Sequence, residues 1–187
     1  MPYPTQVDAE KIVVKARELI EAGGVDGLSL HKLAAELGVK APSLYRYFAD
    51  KLALLRAVND ETSRRLFAAI ATALEAASTD AASRLLTVAL AYRDFAHANP
   101  VTYGLLFSNT IAELRPDEAV QVQRVLPLQA LMAEVSGEGE SLAALRGLNA
   151  LIHGFVMLEL SGQFRRGGDL DAAFVRSVQA YVAGWEK

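Results

Sequence analysis

Apolar side chains recur every three or four residues along almost the whole chain of 187 residues, and this spacing predicts amphipathic α-helices. Strict alternation of apolar and polar residues, which would indicate β-strands, is nearly absent. The sequence therefore predicts an all-α fold of about nine helices. The first helix is expected to end at Gly23 and Gly24. Its apolar stripe consists of Ile12, Val13, Ala16, Leu19 and Ile20.

Three residues near the N-terminus mark the starts of further helices. Ser29 is a typical N-cap residue and precedes a short second helix. Pro42 is tolerated only in the first turn of a helix, so a third helix is expected from residue 41 to about residue 47. Asp50 is the expected cap of a long fourth helix. Three short helices thus precede one long connecting helix.

Beyond Thr79 the chain becomes richer in apolar residues, and prolines and glycines are expected to separate the later helices. Neither an internal repeat nor a low-complexity linker is apparent, so we place the functional boundary inside the fourth helix. Residues 1–52 form one domain and residues 53–187 a second, joined rigidly through the shared helix. The expected breaks are Pro100, Pro116, Pro127, Gly137–Gly139 and Gly167–Gly168.

The chain has no cysteine, which excludes disulfides, thiolate metal ligands and a cysteine nucleophile. Residues Met1–Gln6 lack the pattern of a secretory signal, and the longest apolar stretch, residues 148–160, is too short to span a bilayer. Together these features predict a cytoplasmic protein.

The formal net charge of −3 argues against a nucleic-acid partner. Residues 1–60, however, carry eight Lys and Arg against eight Asp and Glu, so the remainder carries the whole negative charge. An acidic C-terminal domain would orient a neutral N-terminal domain towards phosphates. Charge therefore permits DNA binding without indicating it.

Residues 29–47, SLHKLAAELGVKAPSLYRY, have the pattern of two short helices joined by a tight turn at Gly38, which is the layout of a helix-turn-helix. Small side chains at the start of the second helix would allow close approach to base edges in a major groove. Its free N–H groups would favour phosphate. The inward positions are Leu30, Leu33, Ala34, Leu37, Val39, Leu44 and Phe48.

The segment LSLHKLAAELGVKAPSLYRYFADKLALL resembles the DNA-binding signature of the TetR (tetracycline-repressor) family, with coverage over about residues 8–58. The resemblance implies a ligand-controlled transcription regulator, usually a repressor, that binds a double-stranded DNA operator. In that family the third helix reads the major groove and the second braces it. The implied contacts around the bases are His31, Lys40, Ala41, Pro42, Ser43 and Arg46. The implied contacts to the phosphate backbone are Tyr45, Tyr47 and Lys51.

Several of these residues have a plainer interpretation. Tyr45 and Phe48 fit core or hinge packing equally well, and Lys51 fits a solvated lysine in the first turn of a helix. Lys32 is a further DNA-binding candidate, but Lys32 and His31 fit exposed positions without contacts equally well. His31 also stands where several relatives have a longer basic residue. The composite pattern favours contact for Lys51, Tyr47 and Ser43.

The segments HANPVTYGLLF and LIHGFVMLELSGQF resemble parts of a TetR-family effector domain whose eighth helix carries Trp-His-Gly. Ile152 replaces the Trp, so a role of that indole is not inherited. An apolar cavity with a few polar groups would suit a small-molecule effector, whereas ordinary core filled by Met and aromatic residues is the alternative. The candidate ligand-binding residues are Phe95, Tyr103, Phe107, Met132, Asn149, His153 and Met157.

Residues 142–164 are apolar around nearly the full helix circumference, and such a helix must be covered on every side. A second copy can cover the side that its own neighbours leave open, with Gly154 and Gly162 permitting close approach. We therefore predict a homodimer through the last two helices, the alternative being a monomer with one fully buried central helix. The candidate interface residues are Leu148, Ile152, Phe155, Val156, Phe174, Val178, Tyr181 and Trp185.

An enzyme is the main competing hypothesis. Asp94 and His97 lie three residues apart and resemble two metal ligands, but two ligands do not make a site. No Walker loop, dinucleotide fingerprint or serine elbow occurs. We therefore expect no enzymatic activity, no cofactor and no metal. A helical scaffold without DNA affinity is a third hypothesis.

Overall fold

The computed structural model describes residues 7–77, 79–107 and 112–186. This part of the chain consists of nine α-helices and two short 3-10 helices, Ala112–Leu114 and Glu138–Glu140, and contains no strand. The all-α prediction is confirmed. Residues Met1–Gln6, for which no signal sequence is predicted, lie outside the described residues. The α-helices are α1 (Ala9–Gly23), α2 (Leu30–Glu36), α3 (Ala41–Leu44), α4 (Lys51–Glu75), α5 (Ala81–Ala98), α6 (Pro100–Leu106), α7 (Glu118–Ser136), α8 (Ser141–Leu160) and α9 (Leu170–Ala183).

The predicted end of α1 and the predicted caps of α2 and α4 are confirmed. Gly24 follows α1 with φ of 75°, a left-handed conformation that favours glycine. The Ser29 hydroxyl accepts the N–H of Lys32 at 3.1 Å and caps α2. The Asp50 carboxylate accepts the N–H of Ala53 at 2.8 Å and caps α4. Local capping chemistry therefore sets these boundaries.

Two expected boundaries are wrong. Helix α3 ends at Leu44 instead of near Tyr47, and a turn follows it in which the Tyr47 N–H donates to the Leu44 carbonyl three residues back. Pro127 lies inside α7 instead of ending a helix. The proline removes an N–H that would have bonded to the carbonyl of residue 123. Because Gln123 and Pro127 are both exposed, water can solvate that carbonyl.

The described residues form two compact units, one within Met1–Arg65 and Asn99–Glu118 and the other within Leu66–Ala98 and Ala119–Lys187. In the first unit α1, α2, α3, the start of α4 and α6 enclose one core. That core includes Ile12, Ala16, Ile20, Leu28, Leu33, Leu44, Leu54, Val58, Leu105 and Leu114. The predicted boundary at residue 52 separates two functions, whereas these units are defined by their compactness. The boundary therefore stays a prediction.

In the second unit α5, α8 and α9 pack against one another in pairs. The buried apolar residues of this unit include Leu85, Val88, Tyr92, Phe95, Leu131, Met132, Leu145, Leu148, Ile152, Val156, Phe174, Val178 and Val182.

The segment Glu138–Leu160 is long and apolar enough, by length and composition, to cross a membrane. Within it α8 buries Leu145, Leu148, Ile152 and Val156 inside the unit. The central helices of folded domains have the same composition, so this segment is only weak evidence for a span.

Candidate nucleic-acid interface

The helix-turn-helix is anchored by side chains that point into the first unit. Leu33 of α2 and Leu44 of α3 are fully buried, and Ala34 and Phe48 are nearly so. Leu30, Leu37 and Val39 are partly buried and pack against the same core. All seven predicted inward positions thus face the core to some degree. The opposite side of α2 and α3 is left to solvent.

Most of the predicted DNA-contacting residues are exposed on or beside α2 and α3, but Ala41 also packs against the core of the first unit. Half-buried positions are Ala41, Ser43 and Lys51. Exposed positions are His31, Lys32, Lys40, Pro42, Tyr45, Arg46 and Tyr47. Tyr45 is 53% exposed and Phe48 is 9% exposed, so core packing accounts for Phe48 but not for Tyr45.

Two residues predicted to contact phosphate already have intramolecular partners that the sequence does not suggest. The Tyr47 hydroxyl donates to the Val7 carbonyl at 2.7 Å. The Lys51 ammonium donates to the Val25 carbonyl at 2.9 Å. A phenol oxygen can still accept a hydrogen bond, and an ammonium has three donors. Both side chains therefore keep capacity for a second contact, and their phosphate roles stay predictions.

Charge on the helix-turn-helix is biased towards cations. Between residues 31 and 51 there are four Lys and Arg and two acidic residues, Glu36 and Asp50. The Asp50 carboxylate is engaged in capping α4. Glu36 is exposed, and its charge adds to the effect of Glu18 in raising the pKa of Lys15. The surface is thus locally basic although the whole chain is acidic.

Residues predicted to bind a ligand divide between the two units. Tyr103 and Phe107 belong to the first unit, where their ring centroids lie 4.9 Å apart. The other five belong to the second unit. There Phe95 and Met132 are buried, His153 is half-buried, and Asn149 and Met157 are exposed.

Tyr92 is a polar neighbour of His153 that the sequence analysis missed. Its hydroxyl lies 3.5 Å from the His153 Nδ1 atom, and burial lowers the pKa of His153. A neutral imidazole offers one donor and one acceptor. The signal that would have found Tyr92 is its position three residues before Phe95 on the same helix face.

A groove of about 250 Å³ lies between the start of α5 and the end of α9, and its lining includes none of the predicted ligand-binding residues. Leu86, Val178 and Val182 supply apolar walls, and Ser83, Gln179 and Glu186 supply polar groups.

Most candidate dimer-interface residues are already covered within one chain. Phe155, Tyr181 and Trp185 are half-buried, and the Phe155 ring lies against Phe174 at 5.1 Å between centroids. On α8 the residues turned to solvent are different ones, among them Leu142, Arg146, Ala150 and Leu158. The candidates fully buried inside the protomer are Leu148, Ile152, Val156, Phe174 and Val178.

Asp94 and His97, which resemble two metal ligands in the sequence, do not share a site. Asp94 is exposed, whereas a His97 ring nitrogen lies 3.2 Å from the Glu159 carboxylate. Arg93 also binds Glu159 through two hydrogen bonds, at 2.8 and 2.6 Å. Within residues 7–77, 79–107 and 112–186, no group of three or more His, Asp and Glu could hold a metal ion.

Two family models match the chain. The model described as bacterial regulatory proteins, tetR family, matches residues 12–58, which contain the whole helix-turn-helix. The model described as tetracyclin repressor-like, C-terminal domain, matches residues 85–181. The two matches together cover most of both units.

Solved structures share the fold. A protein of unknown function from Rhodococcus sp. RHA1 superimposes with a TM-score of 0.83 at 25% identity over all of both chains. A single-substitution variant of TetR from Acinetobacter baumannii AYE, solved in complex with minocycline, gives a TM-score of 0.69 at 24% identity over 96% of each chain.

Sequence relatives extend over nearly the whole chain. The HTH-type transcriptional regulator Rv0681 of Mycobacterium tuberculosis is 32% identical over 98% of this chain and 84% of its own length. The HTH-type transcriptional regulator YobS of Bacillus subtilis is 30% identical over 92% and 90%. The class A tetracycline repressor of Escherichia coli is 43% identical over 54 residues, which are 29% of this chain and 25% of that repressor. The chain therefore belongs to the TetR family of helix-turn-helix transcription regulators.

Proposed function

We propose that this regulator is a homodimeric repressor that binds a duplex DNA operator through α2 and α3 and is released by a small-molecule effector. Residues 1–52 would bind DNA, and residues 53–187 would bind the effector and dimerise. The observation that carries the proposal is the packing of α3 against the core of the first unit. Its Leu44 side chain is fully buried, while the small residues Pro42 and Ser43 lie between the exposed cations Lys40 and Arg46. A helix held in this way can enter a major groove without disturbing the core beneath it.

Within this surface we assign reading and positioning to different residues. His31, Lys32, Lys40 and Arg46 are cations or hydrogen-bond donors that are long enough to reach base edges or phosphates. Ala41, Pro42 and Ser43 are small and allow close approach at the start of α3. Tyr45, Tyr47 and Lys51 lie at its far end and in the first turn of α4, where contact to the phosphate backbone is proposed.

Selection of bound sequences from random duplex DNA tests this assignment. Lys51→Ala should weaken all sequences by a similar factor and lower the salt slope by about one, because one phosphate contact is lost. Ser43→Ala should change the preferred sequence, because it acts at base edges. Lys15→Ala, a cation of α1 paired with Glu18, is the matched control and should leave both properties unchanged.

Lys51 also holds the Val25 carbonyl, so its removal has a second consequence. Loosening of that loop would lower the melting temperature, whereas loss of a phosphate contact alone would not. An unchanged salt slope together with a lower melting temperature would assign Lys51 to the loop and remove it from the phosphate contacts.

For the effector domain we propose the type whose eighth helix carries Trp-His-Gly, represented here by Ile152, His153 and Gly154. The support is the polar pair that His153 forms with Tyr92, in a unit whose buried residues include Phe95 and Met132. A few polar groups in apolar surroundings are the usual composition of a small-molecule site. The proposed ligand-binding residues of the second unit are Phe95, Met132, Asn149, His153 and Met157, and those of the first unit are Tyr103 and Phe107.

Titration of a ligand found by screening, with and without the selected operator, tests the regulatory part. Thermodynamic linkage requires operator and effector to weaken each other by the same factor, typically about 5- to 150-fold. Equal ligand affinity in both titrations would make the protein a constitutive DNA binder.

Dimerisation is proposed through α8 and α9, with two recognition helices separated by about 34 to 36 Å, one turn of DNA, or a multiple of it. Because the buried sides of both helices serve the chain's own core, we assign the contact to their solvent sides and to the half-buried Phe155, Tyr181 and Trp185. A DNA operator as partner also implies that the protein acts in the cytoplasm.

A further inference from the structure

The first turn of α6 is capped by a side chain from α1. The Glu21 carboxylate accepts the N–H of Val101 at 2.9 Å, the N–H of Thr102 at 3.0 Å and the hydroxyl of Thr102 at 2.6 Å. Asn99 occupies the N-cap position itself but makes no side-chain capping bond, although asparagine is among the preferred capping residues. The free N–H groups of α6 therefore depend on a residue about 80 positions earlier.

The Asn99 side chain is engaged elsewhere. Arg17 of α1 donates from Nη1 to the Asn99 Oδ1 atom at 2.9 Å, and this oxygen is the one that a self-capping Asn99 would use. The Arg17 Nε atom is buried without a hydrogen-bond partner. The observed arrangement thus satisfies the start of α6 but leaves one donor of the guanidinium unsatisfied, which has a cost.

A second arrangement is available to the same four groups. Other side-chain caps among the described residues bond to the N–H three residues ahead, as Asp8 does with Lys11 and Asp169 with Ala172. By the same spacing Asn99 would accept from Thr102. Arg17 and Glu21 would then be released together, and residues four apart on one helix can form an ion pair. In this second arrangement Arg17, Glu21 and the Thr102 N–H each have a partner, whereas the Val101 N–H and the Thr102 hydroxyl lose the Glu21 carboxylate.

We propose that Glu21 positions the start of α6 against α1 and that it exchanges with Asn99 as the cap of α6. While Glu21 caps α6, hydrogen bonds join α1 to the first turn of α6. When Asn99 caps α6, these hydrogen bonds are absent and the helix remains capped. Because α1 supplies Ile12, Ala16 and Ile20 to the core under the helix-turn-helix, the exchange sets whether that core is attached to α6 through polar contacts.

Hydrogen exchange of the Thr102 amide, followed by NMR without DNA or effector, tests whether Asn99 replaces Glu21 as the cap. Glu21→Ala and Asn99→Ala should each accelerate exchange less than about twofold, because the other cap takes over. The double variant should accelerate it at least about fivefold, the factor that a lost cap gives. In Glu21→Ala the side-chain amide signals of Asn99 should also shift, because that group changes partner.

Glu18→Ala is the matched control, since Glu18 is an exposed carboxylate on the same helix, and it should move neither signal. If Glu21→Ala alone exposes Thr102 as fully as the double variant does, or leaves the Asn99 signals in place, Asn99 does not replace Glu21 and the proposal is wrong. The Glu21→Ala measurement decides this even if the double variant does not fold. Neither outcome depends on whether the protein represses transcription.

Discussion

At residue 147 the packing of α8 against α9 leaves no room for a side chain. A Cβ at Gly147 would lie 2.0 Å from the Tyr181 hydroxyl oxygen and 2.8 Å from its Cζ atom, while that hydroxyl donates to the Ala144 carbonyl at 2.9 Å. Gly147→Ala should therefore displace Tyr181 and lower the free energy of unfolding by about 1–3 kcal/mol. Urea denaturation followed by circular dichroism measures the change.

The control for this prediction is Gly104→Ala in α6, where no atom lies within 4 Å of the added Cβ. Alanine should be neutral there or stabilise by up to about 1 kcal/mol, because it favours helix over glycine. In a Tyr181→Phe background the cost of Gly147→Ala should shrink, since the closest clashing atom is gone. An equal cost in both backgrounds would mean that Tyr181 is not the obstacle.

Glu159 makes the second unit sensitive to acid. Its side chain is 5% exposed, and the hydrogen bonds from Arg93 lower the pKa of this carboxyl. A carboxyl with a lowered pKa stabilises the fold above about pH 4.3, its ordinary pKa, and this contribution is lost as the pH falls through the lowered value. Glu159→Gln should cost roughly 1.5–3 kcal/mol at neutral pH and flatten the acid side of the stability curve.

Denaturation midpoints between pH 7 and pH 3 check this prediction. Asp171→Asn is the matched control, because Asp171 binds the same Arg93 but is 84% exposed, and exposed pairs contribute little. If Glu159→Gln retains the acid dependence of the wild type, another carboxyl is responsible.

At the scale of elements, Asp50 caps the start of α4 and also carries a negative charge next to Lys51 of the proposed DNA surface. Asp50→Ala should lose about 1 kcal/mol of stability, because the Ala53 N–H loses its acceptor. Asp50→Asn keeps an acceptor and should remain close to wild type in stability. It should bind DNA more tightly, with the larger gain at low salt, because a negative charge beside Lys51 is removed. Thermal melts and salt-dependent binding curves measure both effects, and unchanged affinity of Asp50→Asn would place α4's first turn away from phosphates.

For the whole molecule, we expect substitutions on the two sides of α8 to have different effects. Ala150→Arg lies on the solvent side and should give a folded monomer with reduced operator affinity. Leu148→Arg lies on the buried side and should unfold the protein, since an unpaired buried charge costs several kcal/mol. Sedimentation and circular dichroism distinguish these states. A dimeric Ala150→Arg protein would place the interface elsewhere, and a monomeric wild type at micromolar concentration would end the dimer proposal.

Much of the fold was predictable because its signals are local. The caps Ser29 and Asp50 and the end of α1 at Gly24 each act within one helical turn, so neighbouring residues specify them. The inward positions of α2 and α3, such as Leu33 and Leu44, follow from helix periodicity. The local rule that a proline ends a helix failed at Pro127, because water can solvate the carbonyl that the proline leaves without an N–H partner.

By itself the sequence determined the helical class, most helix starts and the helix-turn-helix with its buried face, since each depends on residues within a few positions of one another. Tertiary structure decided the rest: which side of the uniformly apolar α8 faces its own chain, the partners of Tyr47 and Lys51, and the cap that Glu21 provides to α6. These contacts join residues tens of positions apart, and no periodicity along the chain distinguishes one distant partner from another. The physical reason is that a helix pattern specifies a face, whereas only packing selects what that face touches.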